Sequence, residues 1–347
     1  MAYTTIDKST DHFNANLHTG TTDAQSITGV GFQPDWTFIY NYGGTYASAM
    51  YNSMSGVTKH LESNGNSGEQ TVANTLTSFD SDGFTLGADT NNYVNRSSSP
   101  NSYASWNWKL GTTSGISGGS VTPSGYTLNT TNGTSIVKWS GAGATSTIPH
   151  GLGVKPKMIW IKRTDQNGNN WQVYHSGLGA GKKLFLNTYG SEVSSGWMNS
   201  TEPTSSVFTV VDDADINASG GTYIAFCFAE VTGFSRISSF VGNGSLWGPV
   251  INCGFKPAMV LYKKTTGSVA NWQLWDNKRD THNEAISAIH IDGSAVPSTD
   301  EGIDFLANGF KIRGNEAHTN GSGIKFIYYA VAEQPLVSSN GVPALAK

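Results

Sequence analysis

Apolar residues along this chain gather into short runs between polar, glycine-rich stretches, and one run is written three times. Gly254-Phe255-Lys256-Pro257-Ala258-Met259-Val260-Leu261-Tyr262-Lys263-Lys264 has a close copy in Gly153-Val154-Lys155-Pro156-Lys157-Met158-Ile159-Trp160-Ile161-Lys162-Arg163. A looser copy is Gly31-Phe32-Gln33-Pro34-Asp35-Trp36-Thr37-Phe38-Ile39-Tyr40. In each, glycine permits a turn, proline fixes φ and gives up its N–H, and β-branched, aromatic and Met residues follow. Each copy predicts the start of a β-strand, and the repetition sets the register for everything around it.

The flanking patterns keep step. Upstream lie residues 13–17 with Ile27, 136–139 with Ile148, and 237–241 with Val250 and Ile251. Downstream, Asn170-Trp171-Gln172-Val173-Tyr174 matches Asn271-Trp272-Gln273-Leu274-Trp275, and Ala49-Met50-Tyr51-Asn52 is the first copy. Asp82-Gly83 and Asn308-Gly309, each between alternating apolar residues, predict hairpins with type I′ turns. Residues 212–221 are expected to take the hairpin's place in the second repeat. Aromatic runs at 103–109, 223–230 and 326–333 close the repeats.

This pattern predicts an all-β chain of three tandem β-sandwich modules, jelly-roll or lectin-like, of about 100 residues each. A lead-in at 1–10 precedes modules at 11–110, 133–232 and 233–336, and a tail follows at 337–347. Residues 111–132, almost wholly Gly, Ser, Thr and Asn, read as a flexible or loosely draped linker, so the first module is expected to be tethered and the other two to pack as a rigid pair.

Composition narrows the function. With 41 Gly, 10 Trp and 13% charged residues, the chain reads as turn-rich β protein. A net charge of −4 gives no basic footprint for nucleic acid, and no window is long and apolar enough for a membrane span. The first residues carry no signal-peptide pattern. Cys227 and Cys253 are too few for a disulfide framework, and two free thiols are expected, with Cys227 a small core residue.

Candidate chemistry is sparse. Gly115-Ile116-Ser117-Gly118-Gly119 fits a nucleophile-elbow pattern but lies in the linker, without the strand and helix that raise such a serine. Asp213, Asp215 and Asn217 have calcium-loop spacing, yet Ala218 and Ile224 stand where an EF-hand needs Gly and Glu, so a turn is the better reading. The eight histidines show no metal-ligand spacing. No catalytic residue, metal or cofactor is assigned. Aromatic faces that could stack on a glycan remain, with Trp197, Trp247 and Trp275 as candidates, Trp197 and Trp247 expected to be exposed by their Gly and Ser neighbours. The repeated strands are scaffold, so contacts are sought in the rewritten loops 53–59, 175–183 and 276–284, at Ser55, Lys59, His175, Lys182, Lys278 and Arg279.

The opening Met1-Ala2-Tyr3-Thr4-Thr5-Ile6-Asp7, the Gly-Phe-x-Pro strand, Ser55-Gly56-Val57-Thr58-Lys59-His60-Leu61-Glu62-Ser63-Asn64, the Phe79 to Phe84 hairpin and Ala104-Ser105-Trp106-Asn107-Trp108-Lys109 resemble a repeated domain in virion structural and tail-fibre proteins of marine tailed bacteriophages, cyanophages and pelagiphages above all. The resemblance covers essentially the whole chain. It implies a non-enzymatic virion protein, assembled in the host cytoplasm and displayed on the particle. A tail fibre or tail appendage contacting the host surface is the expected role, with capsid decoration or cement, and a glycan depolymerase, as alternatives. Expected partners are other tail or capsid proteins, a host surface glycan or receptor, and further copies of the chain, a trimer being favoured.

Overall fold

The computed structural model describes residues 4–89, 93–97, 101–300, 302–337, 341 and 343. The chain is all-β, built from antiparallel sheets, with one 3-10 turn at Ser9–Asp11 and no α-helix among the described residues. Each repeat contributes one large sheet and one small one. The large sheet of the first runs, edge to edge, Phe13–Thr19, Ser102–Trp108, Trp36–Asn41, Ala49–Asn52, Lys59–Leu61 and Gln70–Thr71. The third repeats that order with Ser235–Val241, Lys325–Pro335, Phe255–Lys264, Gln273–Asp276 and Ile289–His290. The second does so with Thr134–Ser140, Thr222–Phe228, Met158–Arg163, Gln172–His175 and Lys182–Phe185, plus Gly125–Asn129 and Val193–Ser194 at its edges.

The three proline-headed strands lie inside these sheets, and both of their faces are buried. Successive side chains on a strand point to opposite faces. Trp36 and Phe38, Met158 and Trp160, Met259 and Leu261 enter one core shared by all three repeats. The intervening Ile39, Ile159 with Ile161, and Val260 with Tyr262 enter three separate cores, each between one large sheet and its own small sheet. This double burial explains why the runs read as continuously apolar.

The first repeat is therefore not loosely tethered. Trp36 stacks on Trp108 with centroids 3.8 Å apart and meets Trp160, Phe226 and Phe228 of the second repeat at 6.1, 5.2 and 5.7 Å. Phe228 in turn meets Tyr329 of the third at 5.1 Å. Linker residues 111–132 are held: Gly125–Asn129 pairs with Thr134–Ser140, and Thr112 bridges Leu128. The polar-looking lead-in places Ile6 in the shared core. Most of the tail at 337–347 lies outside the described residues.

Polar groups close the repeats into a ring. Trp171 Nε1 donates to Glu62 O at 2.8 Å and Trp272 Nε1 to Phe185 O at 2.9 Å, so second reaches first and third reaches second in the same way. The last seam is sealed by Ser63 Oγ on Ile291 O at 2.6 Å and Tyr40 OH on Ala295 O at 2.8 Å. Lys162 and Lys263, at the position of Tyr40, bury their ammonium groups on carbonyl oxygens, including Asn66 O at 3.2 Å and Thr188 O at 3.4 Å across a seam. Burial lowers both lysines to about 8.

The small sheets are Gln25–Thr28, Gly83–Leu86 and Leu76–Asp80; Ser146–Pro149 with Val207–Val210; and Trp247–Asn252, Gly309–Arg313 and Gly302–Leu306. Their hairpins differ from expectation in detail. Ser81-Asp82 and Ala307-Asn308 form the turns, and neither pair has positive φ, so they are not type I′. Glycine follows because a Cβ on Gly83 would lie 2.0 Å from Ile27 O, and one on Gly309 1.9 Å from Ile251 O. In the second repeat, residues 212–221 follow the small sheet instead of forming its hairpin, because Phe208 is the residue that aligns with Phe84 and Phe310.

Candidate interaction face on the third repeat

Most residues singled out by sequence turn out to be structural, in the local cores or at the seams between repeats. Trp197 is 2% exposed in the second repeat's local core, its Nε1 donating to Lys182 O at 3.3 Å. Trp275 is fully buried, stacked on Tyr262 at 4.7 Å. Neither offers a face to a ligand: the loop carrying Trp197 folds over the second repeat's local core, and Trp275 lies on the buried strand Gln273–Asp276 of the third.

The three rewritten loops lie at the seams. Ser55 Oγ donates to Glu69 at 2.6 Å, and Lys59 at 3.7 Å and Lys138 of the second repeat at 3.3 Å share that carboxylate. His175 is buried on the third repeat: its Nδ1 accepts from Gly177 N at 2.9 Å, which leaves Nε2 to donate to Tyr328 O at 3.3 Å. Burial pushes that imidazole down to about 4. Lys182 pairs with Glu192. The side chain of Arg279 is buried, its Nε on Asp276 at 2.6 Å, its NH1 on Ser287 O at 2.5 Å, and its guanidinium 6.0 Å from the Tyr42 ring of the first repeat. Lys278 is exposed and lines a cleft of about 420 Å³ between the N-terminal segment and the third repeat.

The chemical motifs resolve as turns. Ser117 sits on an exposed loop, with no strand running into it and no helix leading away from it. Asp213 Oδ1 accepts from Asp215 N at 2.8 Å, Asp215 from Gln172 at 2.8 Å, and Asn217 ties Trp139 Nε1 at 3.2 Å. No three His, Cys, Asp or Glu side chains converge on a metal position among the described residues. Cys227 and Cys253 are buried free thiols, each pushed up to about 12 by burial.

Trp247 is different. It is 68% exposed, whereas every other tryptophan is at most 3% exposed. Leu246 at 64%, Val250 at 64% and Val241 at 57% lie beside it in sequence or on the adjoining strand end. Its loop is built firmly: Asn243 Nδ2 donates to Trp247 O at 3.0 Å, and Trp247 N donates to Ser245 Oγ at 3.2 Å. Buried Asn320 holds that loop from beneath, its Nδ2 donating to Asn243 Oδ1 and Ser245 O, both at 2.8 Å.

The register explains the rest. Trp247 pairs with Arg313 and Val250 with Lys311, while the alternating Phe310 and Ile312 point into the core. Lys311 Nζ lies 4.6 Å and the Arg313 guanidinium 5.1 Å from the Trp247 ring centroid, within cation–π range. Asp304 takes the Arg313 fork at 2.6 and 2.7 Å, whereas Lys311 makes no ion pair among the described residues. Sequence inspection identified Trp247 but missed Lys311 and Arg313. The signal was the alternation after Asn308-Gly309, which sets both cations opposite the core residues.

Residues 8–335 match the model of a family described as a domain of unknown function, DUF7483. The chain belongs to that family. No curated protein and no solved structure matches this DUF7483 chain. Its candidate site therefore stands on its own geometry. Among the described residues of the DUF7483 domain, no helix is long and apolar enough to cross a membrane.

Proposed function

We propose that the chain is a non-enzymatic virion structural protein of a bacteriophage, a tail fibre or tail appendage component that contacts the host surface through the Trp247 face. The phage assignment rests on the resemblance of the repeated motifs. In this reading each pair of large and small sheets is one β-sandwich module, and the three are fused on the shared core. The observation that carries the contact role is Trp247 itself: a preorganised, exposed aromatic flanked by cations, the kind of residue that anchors interfaces. Its partners are other virion proteins on one side and a host surface glycan or receptor on the other. Assembly of several copies, a trimer in the favoured form, would use outer faces, since each chain closes its own core.

Adsorption competition tests this reading. Saturating purified chain should block adsorption of the phage that carries it, and the Trp247→Ala chain should not; equal blocking by both defeats the proposal. Capsid decoration is the second reading, favoured by a closed ring with no helical shaft among the described residues. Locating the chain on intact particles separates the two placements. Sustained release of reducing ends from host polysaccharide, abolished by substitution of one acidic residue, would instead make the protein a depolymerase.

A further inference from the structure

Resting on that reading of the Trp247 face, we infer that its ligand is a carboxylated polysaccharide, with one uronate ring stacked on Trp247 and its carboxylate paired with Lys311. Three observations bear on the ligand's chemistry. The indole is held in a fixed loop, so a flat apolar ring face can lie on it with little ordering cost. Lys311 Nζ lies over one face of the ring, 4.6 Å from its centroid, and makes no ion pair among the described residues, so an unneutralised point charge is within one side chain's reach of an anionic group on a sugar stacked on the open face. Arg313 sets its Nε and NH2 on one oxygen of Asp304, which offsets its charge, so the cation left unneutralised for an anion is Lys311, a point charge rather than the planar fork that favours a sulfate or phosphate.

An added peptide strand fits less well. Trp247–Asn252 is the edge strand of its sheet, but Pro249 interrupts it and the register shifts between Trp247 and Val250. Proline and a bulge both blunt an edge against strand pairing. The aligned positions in the other repeats argue that the face is specific to the third. Ser26 opposite Thr85, and Thr147 opposite Thr209, stand where Val250 faces Lys311.

The full chain would be titrated with polygalacturonate, with uncharged dextran and with poly-glutamate, by calorimetry and by Trp fluorescence. Polygalacturonate should bind, Trp247→Ala should weaken it at least about 10-fold, and Lys311→Gln at least about 5-fold, with affinity falling as salt rises. Far-UV circular dichroism should show both variants folded. The inference is overturned if polygalacturonate does not bind, if Trp247→Ala binds it as wild type does, or if poly-glutamate binds more tightly, which would mark an acidic protein partner. Loss of polygalacturonate binding as a finding, with adsorption still blocked in a Trp247-dependent way, removes the ligand class and leaves the host-contact role. Adsorption competition unaffected by Trp247→Ala removes that role as well.

Discussion

The outer faces of the small sheets in the first and third repeats share a backbone and differ in what they present. In the first, Ser26 and Thr85 face each other at 3.0 Å and Thr85 Oγ1 donates to Asp80 at 2.6 Å, so the polar groups satisfy one another. In the third, the same cross-strand position holds Val250 and Lys311, beside exposed Trp247 and Arg313. Beneath both, Ile27 on Phe84 and Ile251 on Phe310 keep the local core. The interior was retained while one exterior acquired groups that water alone does not call for. Function is argued from that difference because the fold is common to all three repeats.

Substitutions inside the shared core set the scale. Trp36→Ala should cost about 3–5 kcal/mol in denaturant unfolding and lower the transition of the whole chain. Repeats two and three melting at the wild-type temperature would break the idea of one core. Acid comes next. His18, His60, His150 and His175 are each held at about 4 by burial, below the ordinary 6.5 of the unfolded chain. Their neutral forms stabilise the fold above pH 6.5, and that contribution is lost as pH falls through 4, at up to about 1.4 kcal/mol per pH unit for each. Asp292, raised to about 6 by burial, acts oppositely, its contribution being lost as pH rises through 6. Four imidazoles outweigh one carboxyl, so Tm should drop between pH 6.5 and 4; a flat profile contradicts the burial of these four rings.

Lys162→Met and Lys263→Met should each cost about 1–3 kcal/mol, because the seam carbonyls lose their donor. Trp247→Ala should change stability by no more than about 0.5 kcal/mol while abolishing iodide-quenchable emission, the other tryptophans being buried. Persistent quenching in that variant would mean that another indole is exposed, and the contrast between the two repeats would weaken.

The strand starts were legible because glycine, proline and a β-prone run coincide three times. Phe255–Lys264 even keeps Pro257 in a central strand, at a register shift that accommodates its missing N–H. The shared core was not legible. A strand apolar on both faces does not announce which partner each face meets, so Trp36 could not be assigned to a neighbour in another repeat. Polar residues misled for a related reason. His175 and Arg279 look solvated in sequence, yet each side chain is buried with its hydrogen bonds made. Trp197 reads as exposed beside its Gly and Ser neighbours because composition reports a loop and not where the loop folds.

The central claim is that contact is made by the outer face of the third repeat alone. Adsorption competition by two single variants tests it most directly: Trp247→Ala on the third repeat and Thr85→Ala on the first. The account predicts that the Thr85 variant blocks adsorption as wild type does and that the Trp247 variant does not. Loss of blocking with the Thr85 variant, or its retention with the Trp247 variant, would contradict it.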